Sequence, residues 1–433
     1  MTIRNLDHAL ATRSVAVIGA STEEGSVGGT LTNNMLAGGF KGEIYLINPH
    51  HEAIAGRRCF PDIPALPEAP ELAVIATPPG TVPELVGALG KKGTRAVVVI
   101  TAGLGPELKQ AMLDQARPYL LRIIGPNCLG IAVPGLGLHA NFGLNQPAPG
   151  KLAFLSQSGA LVTGILDWAA ARNIGFSYVV SMGDMTDVDV GDLLDFLAAD
   201  ISTGAILLYL ETIPAARKFM SAARSAARAK PVIVIKSGRT KESARAAATH
   251  TGALAGGDAA VGAAFRRAGL LRVDELEELF DAAETLTSLR PVAGNELLIL
   301  SNGGGTGVLA VDDLIKSGGK LAALDDAMIA ALDKVLPATW SRANPIDIIG
   351  DAPPERYSEA LDIVLPGCEA DAVLVMNCPT ALASSTNAAQ AVIDATGRAG
   401  RAHSVPPILT NWLGGKGRCR GEAKVPRSFH SDL

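Results

Sequence analysis

The stretch SVAVIGASTEEGSVGGT, residues 14–30, decides the fold class. Ser14 to Ile18 is a short apolar run that ends at Gly19-Ala20-Ser21. After a polar turn, Gly25-Ser26-Val27-Gly28-Gly29-Thr30 opens a helical pattern. A strand, a Gly-rich turn and a helix in that order form the first half of a βαβ unit. Similar runs follow at Glu43 to Ile47, Leu72 to Ala76 and Ala96 to Ile100, with a shorter one at Ile123 to Ile124. Strands so uniformly apolar are expected in a parallel sheet covered by helices on both faces.

Moving outward, the Pro/Gly-rich stretch from Pro134 to Gly150 reads as a linker. A second alternating series follows, with strands near Leu152 to Leu155, Phe176 to Val180, Ala205 to Tyr209, Pro231 to Ile235 and Leu271 to Val273. Leu276 to Leu289 reads as a helix and Pro291 to Gly294 as another linker. A third series opens at Glu296 to Leu300 and continues through Leu321, Ala372 to Met376 and Pro407 to Leu409. The 433 residues suit three consecutive α/β sandwiches at roughly 150 residues per domain. The expected boundaries are 1–135, 150–290 and 294–413, followed by a basic tail, 414–433, expected to be disordered.

Composition narrows the function classes. Hydrophobic residues make up 48% and aromatics 4%, and 38 Lys+Arg stand against 43 Asp+Glu. Few stacking rings and a net charge of −5 argue against a nucleic-acid binder. No window of about eighteen apolar residues escapes a charge or a Pro/Gly break, and the start lacks a signal-peptide pattern, so a cytoplasmic protein without membrane spans is expected. Cys59, Cys128, Cys368, Cys378 and Cys419 are odd in number and form no CxxC pair, which suggests neither a disulfide framework nor a zinc cluster.

The first Gly-rich turn lets backbone N–H groups and a helix N-terminus approach a phosphate, because no Cβ stands in the way. The alternative is that its glycines serve a tight turn alone. The spacing is not GxGxxG. The second strand ends at Ile47-Asn48-Pro49, with no acid where a ribose hydroxyl would be met, so an NAD-dependent dehydrogenase is disfavoured.

Among seven histidines, His250 stands out. It lies in a run of small residues, Ala246 to Gly257, ahead of an expected helix Ala259 to Ala268. A neutral imidazole nitrogen is a competent nucleophile toward a phosphoryl group if one partner orients the ring and another stabilises the oxygens. Glu211, just past the strand Ala205 to Tyr209, is the orienting candidate. Ser156-Gln157-Ser158-Gly159, at the end of the strand Leu152 to Leu155, is the anion cradle. The alternatives are a solvated strand end and a helix cap.

In order along the chain stand GAS…GSVGGTL, INP, TPPGTVPELV, GPNCLGI, LSQSGAL, SMGDMTDVDVGDLLDFLAAD, YLE, VIKSGR, THTGALAGGDAAVGAAFRRAG, SNGGGTGVLAVD, NPIDIIGDA and TNWLGG. Over residues 8 to 413 this series resembles the nucleoside-diphosphate-forming acyl-CoA synthetases, which include ADP-forming acetate–CoA ligase α-type chains and, more distantly, the succinyl-CoA synthetase α subunit. The resemblance implies a Rossmann-like CoA-binding domain followed by two flavodoxin-like, succinyl-CoA synthetase-like domains. It implies that acyl-CoA and phosphate give acyl phosphate and CoA, that the phosphoryl group passes to His250, and that ADP receives it. Glu211 would orient His250. Ser156, Ser158, Gly159, Thr251 and Gly252 would hold the phosphoryl oxygens, and Gly19, Ser21, Ser26, Val27, Asn48, Pro78 and Asn127 would line the CoA site.

Family members carry an ATP-grasp part, fused or as a separate subunit, and its Gly-rich nucleotide loop and acidic metal-binding pair do not occur here. The resemblance therefore implies that ADP, ATP and Mg enter only through an ATP-grasp β-type partner; a homo-oligomer is the other expected assembly. The match stops near Gly415, leaving either a natural α-type subunit or a shortened fused synthetase. The competing function is a CoA- or acyl-CoA-binding regulatory module, as in the synthetase-like halves of protein lysine acetyltransferases. An intact HTG loop favours chemistry over sensing.

Overall fold

The computed structural model describes residues 3–240, 242–243, 257–288, 292, 294–402 and 405–413. They fall into two compact units, Met1–Ala283 and Glu284–Leu433. No helix among the described residues is long and apolar enough to cross a membrane.

The first unit contains two sheets. The first is built from β1 (Ser14–Ile18), β2 (Glu43–Ile47), β3 (Ala53–Ile54), β4 (Arg57–Phe60), β5 (Leu72–Ile75), β6 (Ala96–Val99) and β7 (Arg122–Ile124), in the order β3-β4-β2-β1-β5-β6-β7. All its pairings are parallel apart from the short β3–β4 hairpin. Strand β1 lies at the centre, with Val15 opposite Ile44 on one side and Leu72 on the other. Val15, Ala16 and Val17 have no solvent exposure, as two covered faces require. The chain moves from β1 to β2 on one side and later returns to place β5 on the other. The carboxyl ends of β1 and β5 therefore flank a topological switch point, where open α/β sheets bind ligands.

The second sheet repeats this device. Strands β8 (Gly130–Val133), β9 (Leu138–Asn141), β10 (Pro149–Ser156), β11 (Phe176–Ser181), β12 (Ala205–Leu210), β13 (Val232–Lys236) and β14 (Leu271–Val273) stand in the order β14-β13-β12-β10-β11-β8-β9. Strand β10 pairs in parallel with β11 and with β12, so its carboxyl end and that of β12 flank a second switch point.

The stretch Pro134 to Gly150 is not the linker its composition suggests. Strands β8 and β9 form an antiparallel hairpin that pairs with β11, and Pro149 and Gly150 begin β10. Ile131, Leu138 and Ala140 are buried in it. The prolines and glycines mark the tight turn Pro134–Leu136 and the approach to β10, and they masked two four-residue strands. The hairpin also joins the two sheets: Asn34, on the helix Val27–Ala37, donates through Nδ2 to the carbonyls of Asn141 and Gly143, both at 2.9 Å. One apolar core runs from Leu6 and Val15 through Ile131 and Leu155 to Leu270.

The second unit holds β15 (Glu296–Ser301), β16 (Lys320–Leu321), β17 (Ile346–Asp347), β18 (Ala372–Asn377) and β19 (Ile408–Trp412). They form a parallel sheet in the order β16-β15-β18-β19, with β17 pairing the carboxyl end of β15. Its own core gathers Leu298, Leu300, Tyr357, Leu361, Val373 and Val375. The tail 414–433 lies outside the described residues.

Candidate functional site

At the first switch point the glycines are spacers. Gly19 has φ +88°, and a Cβ there would lie 2.5 Å from the carbonyl oxygen of Ala76. A Cβ on Gly28 would lie 2.1 Å from the carbonyl oxygen of Gly19, so the start of the helix Val27–Ala37 presses directly on the turn. Ser26 caps that helix: its Oγ accepts from the Gly29 N–H at 2.9 Å and donates to the Glu23 carbonyl at 2.8 Å. Ser21 Oγ accepts from the Glu23 N–H at 3.0 Å. Both hydroxyls thus shape the turn, while Val27, 42% exposed, marks where the first helical turn faces outward.

The remaining candidates lie along the same carboxyl edge. Asn48 donates through Nδ2 to the Ala20 carbonyl at 2.8 Å and accepts through Oδ1 from the His50 N–H at 2.9 Å, tying the end of β2 to the turn after β1. The Pro78 carbonyl accepts from Thr81 Oγ1 at 2.8 Å, and the Thr77 carbonyl from Thr101 Oγ1 at 2.7 Å. Asn127 has φ +58°, donates its N–H to the Thr101 carbonyl at 3.0 Å and reaches Asp184 through Nδ2 at 3.2 Å. All seven residues therefore share one sheet edge, and Asn127 connects it to a loop of the second sheet.

At the second switch point Ser156 is fully buried, its Oγ donating to the Ser158 carbonyl at 2.8 Å and accepting from the Ser158 N–H at 3.1 Å. Ser158 caps the helix Gly159–Arg172, its Oγ accepting from the Leu161 N–H at 3.3 Å. Glu211 is 6% exposed immediately beyond β12. The link between them is Gln157, which the sequence placed within the cradle stretch without a role for its side chain. Its Oε1 accepts from the Glu211 N–H and, at 3.0 Å, from the Thr212 N–H, while its Nε2 donates to Thr212 Oγ1 at 3.1 Å. The signal was an amide between two serines at the end of a buried strand.

Lys236, also given no role from sequence, ends β13 beside Leu210 and is only 4% exposed. Asp258 starts the helix Asp258–Ala268 and pairs with Arg272 at 2.6 Å. Arg239 lies 3.0 Å from Asp274 and 3.9 Å from Asp258. A cavity of about 500 Å³ is lined by Gly238, Arg239, Thr240, Ser243 and Asp258. His250, Thr251 and Gly252 lie outside the described residues. The described chain on either side of them, Ser243 and Asp258, lines this cavity.

The acidic stretch from Asp184 to Asp192 has a structural explanation. Asp184 meets Lys109 at 2.7 Å, Asp187 meets Arg122 at 2.9 Å, and Asp192 meets Arg122 at 2.9 Å and Lys218 at 2.6 Å. Asp189 meets Lys218 at 3.0 Å and forms a capping box with Asp192. Arg122 belongs to β7 of the first sheet, so this network also links the two sheets.

In the second unit the helix Gly304–Lys316 begins after β15 with no side-chain cap. Asn302 brackets Cys378, donating to its carbonyl at 2.9 Å and accepting from its N–H at 2.7 Å. These ends of β15 and β18 flank a third switch point. The helix start is suited to an anion, although the Asp347 carboxylate stands close: a Cβ on Gly304 would lie 2.7 Å from it.

Three family models match in succession: a CoA binding domain over residues 13–134, a succinyl-CoA ligase like flavodoxin domain over 149–286, and a Ligase-CoA domain over 297–415. Acetate–CoA ligase (ADP-forming) I of Archaeoglobus fulgidus is 42% identical over 88% of this chain, which spans about half, 56%, of that relative's length. Acetate–CoA ligase (ADP-forming) I subunit alpha of Pyrococcus furiosus is 36% identical, with 93% of this chain matched and 88% of the relative covered. A solved structure of the dinucleotide-forming acetyl-coenzyme A synthetase 1 of Candidatus Korarchaeum cryptofilum, in complex with phosphate and ADP, superimposes with a TM-score of 0.89 at 36% identity, covering 95% of this chain and 90% of that one.

Proposed function

We propose, from the premise that this chain belongs to the family of ADP-forming acyl-CoA ligases, that it carries the acyl-CoA half of such a ligase. In the first step phosphate attacks the thioester carbonyl of acyl-CoA; the carbon–sulfur bond breaks, giving acyl phosphate and CoA. In the second, a nitrogen of His250 attacks the phosphorus and the carboxylate leaves. In the third, ADP takes the phosphoryl group and the imidazole is restored. Each step is reversible.

The observation that carries this reading is the construction of the β10/β12 switch point. Gln157 holds the start of one helix turn and the buried Glu211 together, so a donor-rich helix N-terminus and a carboxylate share one edge. A helix N-terminus stabilises phosphoryl oxygens, and a carboxylate accepting the N–H of an imidazole fixes its tautomer and leaves the other nitrogen nucleophilic. CoA is assigned to the β1/β5 switch point, where the helix beginning at Val27 offers N–H groups to phosphate and the amide of Asn48 stands in place of a ribose-binding acid. The domain division proposed is 1–135, 150–290 and 294–413.

Nucleotide turnover is assigned to an ATP-grasp partner holding ADP or ATP and Mg. This is supported by the Pyrococcus relative, an alpha subunit of which the chain covers 88%. Labelling of the chain with radioactive acetyl phosphate tests the proposal. An acid-labile, base-stable phosphate on His250 is expected, and a stoichiometric label elsewhere would overturn it.

A further inference from the structure

The loop between β11 and the helix Val190–Ala199 touches both switch points of the first unit. At its start the Met182 N–H donates to the carbonyl of Ser156 at 2.7 Å, and Ser181 Oγ accepts the Leu129 N–H at 2.9 Å. Gly183 has φ +55°, and a Cβ there would lie 2.1 Å from the carbonyl oxygen of Pro126, so the loop lies directly on the turn Gly125-Pro126-Asn127. The Asp184 N–H donates to that same carbonyl at 2.9 Å, and the Thr186 N–H to the carbonyl of Gly125 at 3.2 Å. One short loop thus runs from the phosphate cradle to the rim assigned to CoA.

Asp184 carries the side-chain part of this contact. Its carboxylate meets Lys109, on the helix Pro106–Ala116, at 2.7 Å and accepts from Asn127 Nδ2 at 3.2 Å. Among the described residues no other hydrogen bond engages the Asn127 side chain. An amide has a donor end and an acceptor end, whereas a carboxylate only accepts, so Asp184 decides which way the amide faces. With Nδ2 turned to the acid, Oδ1 is turned away from it as an acceptor. CoA brings matching donors in the amide N–H groups of its pantetheine arm. We propose that Asp184 is a positioning residue for CoA: it orients the Asn127 amide so that the amide oxygen meets an N–H of the ligand. The inference rests on Asn127 lining the CoA site. Simple electrostatics gives the opposite sign for the same residue, since removing a carboxylate and releasing Lys109 beside an anionic ligand favours binding.

The test is calorimetric titration of CoA into the full chain, comparing the unaltered protein, Asp184→Ala, Asn127→Ala and the double variant. Asp184→Ala is expected to weaken CoA binding by about tenfold, because an amide released from the acid must be ordered again when the ligand binds. In the Asn127→Ala background the same change is expected to cost less than about twofold, since Asp184 acts through that amide. Tighter binding, unchanged affinity, or the same loss in both backgrounds would overturn the proposal. A kinetic readout separates position from fold. Labelling of His250 from acetyl-CoA and inorganic phosphate needs both switch points, whereas labelling from acetyl phosphate needs only the second. Asp184→Ala should raise the acetyl-CoA concentration for half-maximal labelling by about tenfold and leave the rate from acetyl phosphate within about twofold. The second rate is kept because the Met182 contact with Ser156 is a backbone bond that the substitution does not remove. Equal losses by both routes would overturn the proposal. If the unaltered chain binds CoA but takes no label, the phosphoryl-transfer reading fails by itself and the titration still decides the role of Asp184; if it binds no CoA, the positioning role is overturned.

Discussion

Gln157 reaches from the end of β10 to the end of β12, where its Oε1 receives the backbone N–H of Glu211 and of Thr212. One amide therefore fixes the direction in which Glu211 leaves the sheet. Gln157→Leu removes the acceptor of two buried N–H groups and is expected to cost about 2–6 kcal/mol, since each unsatisfied group costs about 1–3 kcal/mol. Urea denaturation measures the loss, and labelling of His250 should fall further than in Ser158→Ala, where the helix N–H groups remain.

The first switch point separates spacing from binding. Gly28 faces the Gly19 carbonyl oxygen, not open space, so even Gly28→Ala should destabilise the first unit by at least about 2 kcal/mol through overpacking. Val27 is half exposed at the first helical position. Val27→Glu should leave the melting temperature nearly unchanged, because a carboxylate is welcome at a helix N-terminus, yet weaken CoA binding by about tenfold or more through repulsion of its phosphates. Calorimetry distinguishes the two variants: unchanged CoA affinity in Val27→Glu would remove CoA from this edge.

Arg122 links β7 to Asp187 and Asp192 with side chains that are largely buried. Arg122→Met leaves Asp192, already carrying a buried Oδ1 without a partner, short of one of its two cations. A loss of about 3–5 kcal/mol is expected, the usual consequence of breaking a buried pair on one side. The two sheets should lose stability together, because one core spans both. Separate unfolding transitions by hydrogen exchange would contradict this.

His139, on β9, is buried with an unpartnered Nδ1, and burial lowers its pKa from the ordinary 6.5. The unfolded chain then binds a proton at a pH where the folded chain does not. Stability is therefore unaffected above about pH 6.5 and falls as pH drops below it, by up to about 1.4 kcal/mol per pH unit. His139→Leu should flatten that part of the profile, and an unaltered slope would assign the acid sensitivity to other groups.

The central strands were legible because two covered faces demand continuous apolar runs. Ser14 to Ile18 and Glu43 to Ile47 coincide with β1 and β2 to the residue. Strands β8 and β9 were not legible: four residues between Pro/Gly turns carry too little pattern, and their pairing with β11 is a long-range fact. The same holds for β3 and β4, and for the two-residue β17. At the site, Ser158 and Glu211 could be placed from strand ends alone. Gln157 could not, since its importance lies in what it meets across the neighbouring strand, and one-dimensional spacing does not contain it.

The most direct measurement is the position and chemistry of the phosphate taken from acetyl phosphate. The account predicts one acid-labile, base-stable label on His250, abolished in His250→Ala with stability changed by no more than about 0.5 kcal/mol, strongly reduced in Glu211→Gln, and reduced about tenfold in Ser158→Ala. Normal labelling of His250→Ala, or an acid-stable phosphate on another residue, would contradict it.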